Sequence, residues 1–187
     1  MSVTDAYPTP LADGELAATW AAAWSTLARP APAGLQAELM TAWSEPHRHY
    51  HDQRHLRECL ALWTRWREHS PRAGEVALAL WFHDAIYDPQ AGSNELNSAA
   101  WAARSLVRAG ADSDTAQPVQ DLVMVTQHGF TQEMAPAVLD SSPDAQLLVD
   151  ITRSCTRCAV SLSAPARRRD RAAHAALCSS LLPARGS

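Results

Sequence analysis

The chain contains no lysine: all sixteen basic residues are arginine, set against twenty acids, for a net charge of -4. With alanine abundant, this looks like coding bias. The acidic balance argues against nucleic acid as a required partner, because phosphate backbones are bound by a clustered positive excess. No stretch approaches the roughly 20 apolar residues of a membrane span. The opening MSVTDAYPTPLADGE lacks the basic start and apolar core of a secretory signal. A cytoplasmic protein with no membrane partner is the expectation. Of the four cysteines, Cys59 stands alone in the body while Cys155, Cys158 and Cys178 fall near the end, which is no disulfide framework. Cys155-x-x-Cys158 lacks a second pair, so zinc is weakly supported there. Alternating strand patterns, internal repeats and a glycine-rich phosphate loop are also missing, which leaves an all-α bundle of about six to seven helices.

At 187 residues the chain suits one domain with a sizeable core. Leu16, Trp20, Ala23, Trp24 and Leu27 recur at helical spacing behind Asp13, an N-cap candidate, predicting a first helix over about 14–28. A second helix covers Leu35 to Trp43, before the break at Glu45-Pro46. In a third, Leu56, Cys59, Leu60, Trp63 and Trp66 form a core-facing stripe. His51 and His55, if both helical, share one face of it. The fourth, with Pro71 in its first turn, runs from Glu75 to about Tyr87 and is apolar on more than one face, hence central and buried. The fifth spans Asn94 to Ala109, between Ser93 as cap and Gly110. Val119, Leu122, Val123 and Thr126 mark a sixth helix, and Ser142-Pro143-Asp144 starts a seventh carrying Leu147, Leu148 and Ile151.

Composition changes near Ile151. Residues 151–187 hold seven arginines and one acid, Asp170, a net +6; residues 1–150 hold nine arginines and nineteen acids, a net -10. The later segment also has no aromatic residue. The expected division is a helical domain over 1–151 and an atypical Arg/Ala/Ser-rich tail over 152–187. That tail is either a genuine divergence or an aberrant product such as a shifted reading frame. Its arginines Arg167, Arg168, Arg169 and Arg171 read as a solvated, disordered run.

The chemistry gathers around WFHDAIYDP, residues 81–89, where His83 and Asp84 close an apolar helical run before a proline-marked loop. An imidazole and a carboxylate at the edge of a core are costly to leave unpaired. With His55 from another helix they offer two nitrogens and an oxygen, the way helical bundles assemble interior metal sites. Such a set suits Mn, Fe, Co, Ni, Zn or Mg without choosing among them.

The ordered segments EPHRHYHDQRHLRECL, ALWFHDAIYDP, SNELNSA, an isolated His128 and DAQLLVDI resemble the HD-domain metal-dependent phosphohydrolase superfamily. Within it, the likeness is to a small bacterial group of predicted HD phosphohydrolases, and it covers roughly 14–151. The resemblance implies an HD-domain-like bundle in which His55, His83 and Asp84 hold a divalent ion. The family's fourth ligand is an aspartate on a late helix in an Asp-x-Asp-Leu segment; here Asp150 matches the first acid, and Thr152 stands where the second, the expected ligand, would be. Asp150 remains the fourth candidate, although residues two apart on a helix point about 200 degrees apart.

The implied activity is hydrolysis of a phosphate ester or anhydride in a small, nucleotide-like molecule. Glu95 or His128 would position water or protonate the leaving group, and His51, Arg54 and Arg48 would meet the anionic substrate. Each has a structural alternative: Glu95 as a first-turn helix acid, His128 as a helix C-terminal cation, the arginines as partners of Glu45 or Asp52. Asp88 either orients a ligand histidine or serves the turn at Pro89. A competing reading is a catalytically inactive HD-fold binding protein, or a defective product, lacking its fourth ligand. Loss of late helices would expose apolar surface and favour self-association into a homo-oligomer.

Overall fold

The computed structural model describes residues 9–127 and 142–163, with side chains as far as Cys155. His128 and the arginine run from Arg167 lie outside the described residues. Among those described there are seven α-helices and no strand, as expected for an all-α bundle: α1 Asp13–Thr26, α2 Leu35–Ala42, α3 Gln53–Trp66, α4 Ala73–Phe82, α5 Asn94–Arg108, α6 Ser113–Met124 and α7 Pro143–Ser163. No described helix is long and apolar enough to cross a membrane.

The organising element is α4. Its sequence AGEVALALWF is apolar on nearly every face, and Val76 through Phe82 are all 0% exposed. A helix of this kind has to be surrounded, and α1, α3, α5, α6 and α7 all pack on it. Helix α1 lends Trp20, whose ring meets Trp81 edge-on at 5.0 Å and Trp24 at 5.6 Å. Helix α3 lends the expected stripe of Leu56, Cys59, Leu60 and Trp63.

Several boundaries differ from expectation for identifiable reasons. Asp13 is the first residue of α1 rather than its cap; Glu15 accepts the Ala12 N–H at 2.9 Å, while Asp13 pairs with Arg57. Helix α3 starts only at Gln53, because Asp52 takes the cap position and accepts from the N–H groups of Arg54 and His55. His51 therefore lies outside the helix, and shares no helical face with His55. Ser93 precedes α5 without capping its backbone; its hydroxyl accepts from the Asn97 side chain. Gly110 does close α5 as expected: at φ +81° it lets Ala111 N–H reach Leu106 O and its own N–H reach Val107 O, a Schellman closure. Helix α6 begins well before Val119, because Asp112 caps it through the Thr115 N–H.

Helix α7 continues past Ile151 to Ser163. Its register is set at the other end, where buried Asp144 accepts from Ser70 Oγ, from Arg72 N–H at 3.1 Å and from Arg72 Nε at 3.4 Å. That contact ties the first turn of α7 to the α3–α4 connection. Leu148, Ile151 and Cys155 then fall on the buried side.

The tightest helix approach is at Gly74. A Cβ there would collide with Thr26 Oγ1 and would lie 2.8 Å from Thr26 Cβ and 3.0 Å from Ala23 O. Alanine favours a helix interior by up to about 1 kcal/mol over glycine, but overpacking costs about 1–3 kcal/mol. Gly74→Ala is therefore expected to lower the urea midpoint at unchanged slope, by a net cost of about 1–2 kcal/mol. An unchanged or higher midpoint would mean that α1 and α4 are not this close.

Candidate metal centre

The last carbonyls of an α-helix have no partner within it. After α4 the chain makes a tight turn instead of another helical turn, and other groups take those carbonyls one by one. Leu80 O accepts from His83 Nδ1 at 2.8 Å, Trp81 O from Trp43 Nε1 at 3.0 Å, and Phe82 O from Ala85 N–H at 2.9 Å. Asp84 O and Ala85 O accept from the Arg48 guanidinium at 2.6 and 2.9 Å, and Tyr87 O from His47 Nε2 at 2.7 Å. Asp88 O accepts from Asn94 Nδ2 at 2.8 Å. The expected extension of α4 to Tyr87 does not occur because these partners replace helical hydrogen bonds.

Arg48 accordingly has a structural part, where a substrate contact was expected. Its side chain is 0% exposed. It lies against the Trp43 and Tyr87 rings, and its N–H groups reach Glu45, His51 O, Asp84 O and Ala85 O. A guanidinium so occupied clamps the His47–His51 segment to the His83-Asp84 turn. Asp88 likewise serves the turn: its carboxylate accepts from Gln90 N–H, and its own N–H donates to Asn94.

This scaffold brings three imidazoles to one carboxylate oxygen. Asp84 Oδ2 lies 2.7 Å from His51 Nδ1, 3.1 Å from His83 Nε2 and 3.8 Å from His55 Nε2; the last two nitrogens are 3.2 Å apart. Both His55 and His83 are 2% exposed. Because His83 donates from Nδ1 to Leu80 O, its Nε2 is the atom that faces His55 and Asp84. Orientation by a backbone carbonyl is the usual arrangement behind a metal-binding imidazole. Ligand atoms about 2.0–2.2 Å from a shared ion stand about 3.0–3.5 Å from one another, close to the separations of this set. The donor chemistry fits a divalent ion held by His55, His83 and Asp84, with His51 as a further donor or as the group that holds Asp84.

The electrostatics of these side chains show the same demand for positive charge. Burial is the largest influence on His55 and, with His83 beside it, pushes its pKa down to about 3 against the pull of Asp84. Burial also opposes protonation of His83, but the Asp84 charge and hydrogen bond, with the Leu80 carbonyl, leave its pKa above the ordinary value. Burial acts to raise the Asp84 pKa, and His83 and His51 overcome it, holding the carboxyl well below its usual range. A proton on His83 occupies the position that a cation would take.

The other predicted residues are placed as follows. His51, expected to meet substrate, instead bonds Asp84. Arg54 projects from the first turn of α3 with its side chain 64% exposed and pairs with Glu58 at 2.8 Å. Glu95 is half-buried in the first turn of α5. Asp150 is also half-buried, its pKa raised by burial against the influence of Arg153; it belongs to neither group of clustered ligand atoms found among the described residues. The Thr152 hydroxyl donates to Val149 O at 3.1 Å. Cys155 of α7 forms, with Cys59 and His55, a second cluster of potential ligands. Two signals for it were present in the sequence: the i, i+4 spacing of His55 and Cys59, and the Leu148-Ile151-Cys155 stripe.

The chain matches no family model, no curated protein and no solved structure.

The pKa directions predict how the chelator-treated chain responds to acid. His55 has a folded pKa of about 3 against an ordinary 6.5, so the unfolded chain binds a proton in this window that the folded chain refuses. Its stabilising contribution is present above 6.5 and is lost as pH falls toward 3. His83, raised, loses its contribution only as pH rises above 6.5; Asp84, lowered, loses its own only below 3.8. Between those limits His55 alone of the three contributes a slope, approaching about 1.4 kcal/mol per pH unit. Urea unfolding at stepped pH should show this slope in the parent and its loss in His55→Gln. Equal slopes in the two chains would rule out a buried neutral His55.

Proposed function

We propose that the chain is a metal-dependent phosphohydrolase of the HD-domain type, acting on a phosphate ester or anhydride of a small, nucleotide-like molecule. The observation that carries this reading is the convergence of His55 Nε2, His83 Nε2 and Asp84 Oδ2 within 3.1–3.8 Å, with His83 Nδ1 held by Leu80 O. A divalent ion bound there would supply Lewis-acid polarisation of a phosphoryl oxygen and a more acidic water. His55, His83 and Asp84 would hold it; His51 keeps Asp84 Oδ2 in place through its Nδ1–H. Arg54, exposed on the first turn of α3, is the arginine still suited to meeting an anionic substrate. Glu95 and His128 are proposed to position water or to protonate the leaving group. Arg48 acts through the turn it clamps.

One observation favours a second reading, an inactive HD-type fold serving as a binding protein. Asp150 stands outside the donor groups and the Thr152 hydroxyl is engaged with Val149, so α7 brings no carboxylate to His55.

Elemental analysis and phosphatase assays of the purified chain separate the two. The phosphohydrolase reading expects near-stoichiometric divalent metal and metal-dependent release of phosphate from nitrophenyl phosphate or nucleotides. The phosphate release should fall by at least about 100-fold in His83→Ala, given that even the partners behind metal ligands are worth 10–100-fold. Thr152→Asp should raise metal affinity. Phosphate release that persists undiminished in His83→Ala would refute the assignment of the site; metal binding without turnover across the substrate series would favour the inactive reading.

A further inference from the structure

Behind the His83-Asp84 face of His55 lies a second set of donors with different chemistry. Cys59 sits one helical turn after His55 on α3, on the same side, and Cys155 comes from α7. The three side chains offer ligand atoms that all lie within 4.8 Å of one another. His55 is 2% exposed, Cys59 0% and Cys155 1%, and both cysteines are free thiols.

We propose that His55, Cys59 and Cys155 form a thiolate metal site that takes a thiophilic divalent ion of the zinc class. Three arguments support it. The first is distance: an ion about 2.3 Å from sulfur and about 2.0–2.1 Å from nitrogen, at a tetrahedral angle, holds those two atoms about 3.6 Å apart, and Cys59 Sγ lies 3.7 Å from His55 Nε2. The second is charge. On binding, both thiols release their protons to solvent, and two thiolates neutralise a divalent ion, so the core acquires no net charge. The third is softness, since sulfur ligands select zinc-like ions over magnesium, calcium or manganese. Buried free cysteines ordinarily serve as small apolar side chains; here they converge, from two helices, on an imidazole whose neighbours are sulfur, imidazole nitrogen and carboxylate oxygen.

His55 Nε2 belongs to both donor sets, so an ion held by the sulfurs draws His55 away from His83 and Asp84. A thiophilic ion therefore competes with a hard one at this centre. The inference does not rest on the phosphohydrolase reading, because the thiolate site exists whether or not the other set turns over a substrate.

The test is a cadmium titration of the full, reduced, chelator-treated chain under anaerobic conditions. It is followed by the near-ultraviolet thiolate-to-cadmium absorption and by proton release. The expected result is a band saturating at a single ion per chain, with proton release, in the parent and in Cys158→Ser/Cys178→Ser. The band should be at least about tenfold weaker in Cys59→Ser/Cys155→Ser. It should persist in Asp84→Asn and in excess Mg2+, which separates this site from the carboxylate set even if no phosphatase activity is found. No band in the parent overturns the proposal, as does a band that survives in Cys59→Ser/Cys155→Ser. Should that last variant fail to fold, the Cys158→Ser/Cys178→Ser chain decides alone: retention of the band supports the site, and its loss refutes it.

Discussion

The structure depends on one electrostatic problem, the Asp84 carboxylate placed among three imidazoles at the end of the most apolar of the described helices. A buried anion of this kind needs positive charge and fixed donors around it. His83, its pKa raised against burial by this carboxylate, stands 3.1 Å from it, and His51 Nδ1 is a hydrogen-bond donor to it at 2.7 Å. The rest of the neighbourhood keeps those donors from moving. Trp43 holds the Trp81 carbonyl at the end of α4 and Arg48 those of Asp84 and Ala85, Asp52 caps α3 and so fixes its first turn with His55, and Asn94 ties the far side of the turn to α5. The Trp43 and Arg48 contacts join segments more than thirty residues apart, so the site and the bundle form together.

This mutual dependence explains which features could be read from the residues alone. Core stripes are local signals, and α1, α2, α3 and α5 follow them closely. His55, His83 and Asp84 were identifiable because an adjacent His-Asp pair after an apolar run is chemically conspicuous, and the three do converge. The exit of α4 was less legible. Nothing local in Asp84-Ala85-Ile86-Tyr87 forbids another helical turn; the turn is stopped by carbonyl acceptors being taken by Arg48 and His47, more than thirty residues earlier. The role of Arg48 was hidden for the same reason. Its fork could equally bind phosphate or backbone oxygens, and only the packed structure shows all of its N–H groups engaged within the protein.

The passage at Ile151 shows that composition and periodicity can disagree. Charge and aromatic content shift there, yet the helix runs on to Ser163. Helical continuity follows from the spacing of apolar positions and from the anchored first turn, and the change in composition interrupts neither. Asp144 has two parts in this. As a first-turn acid it suits the positive end of the helix dipole, and as a buried acceptor for Ser70 and Arg72 it fixes where around the helix axis the later residues point. The second part needs partners from the α3–α4 connection, so it was not visible from Ser142-Pro143-Asp144 alone.

That rotation has a chemical consequence. With α7 set by Asp144, Cys155 is brought to His55, while Asp150 lies outside both groups of donors found among the described residues. A carboxylate in that place would make the centre harder and suit it to magnesium or manganese; a thiol makes it softer and suits it to zinc-like ions. The imidazole of His55 serves either kind of ion, being a borderline ligand shared between an oxygen-bearing and a sulfur-bearing side. In the proposed centre, the choice between hard and soft ions would thus turn on α7, through a hydrogen bond made in that helix's first turn.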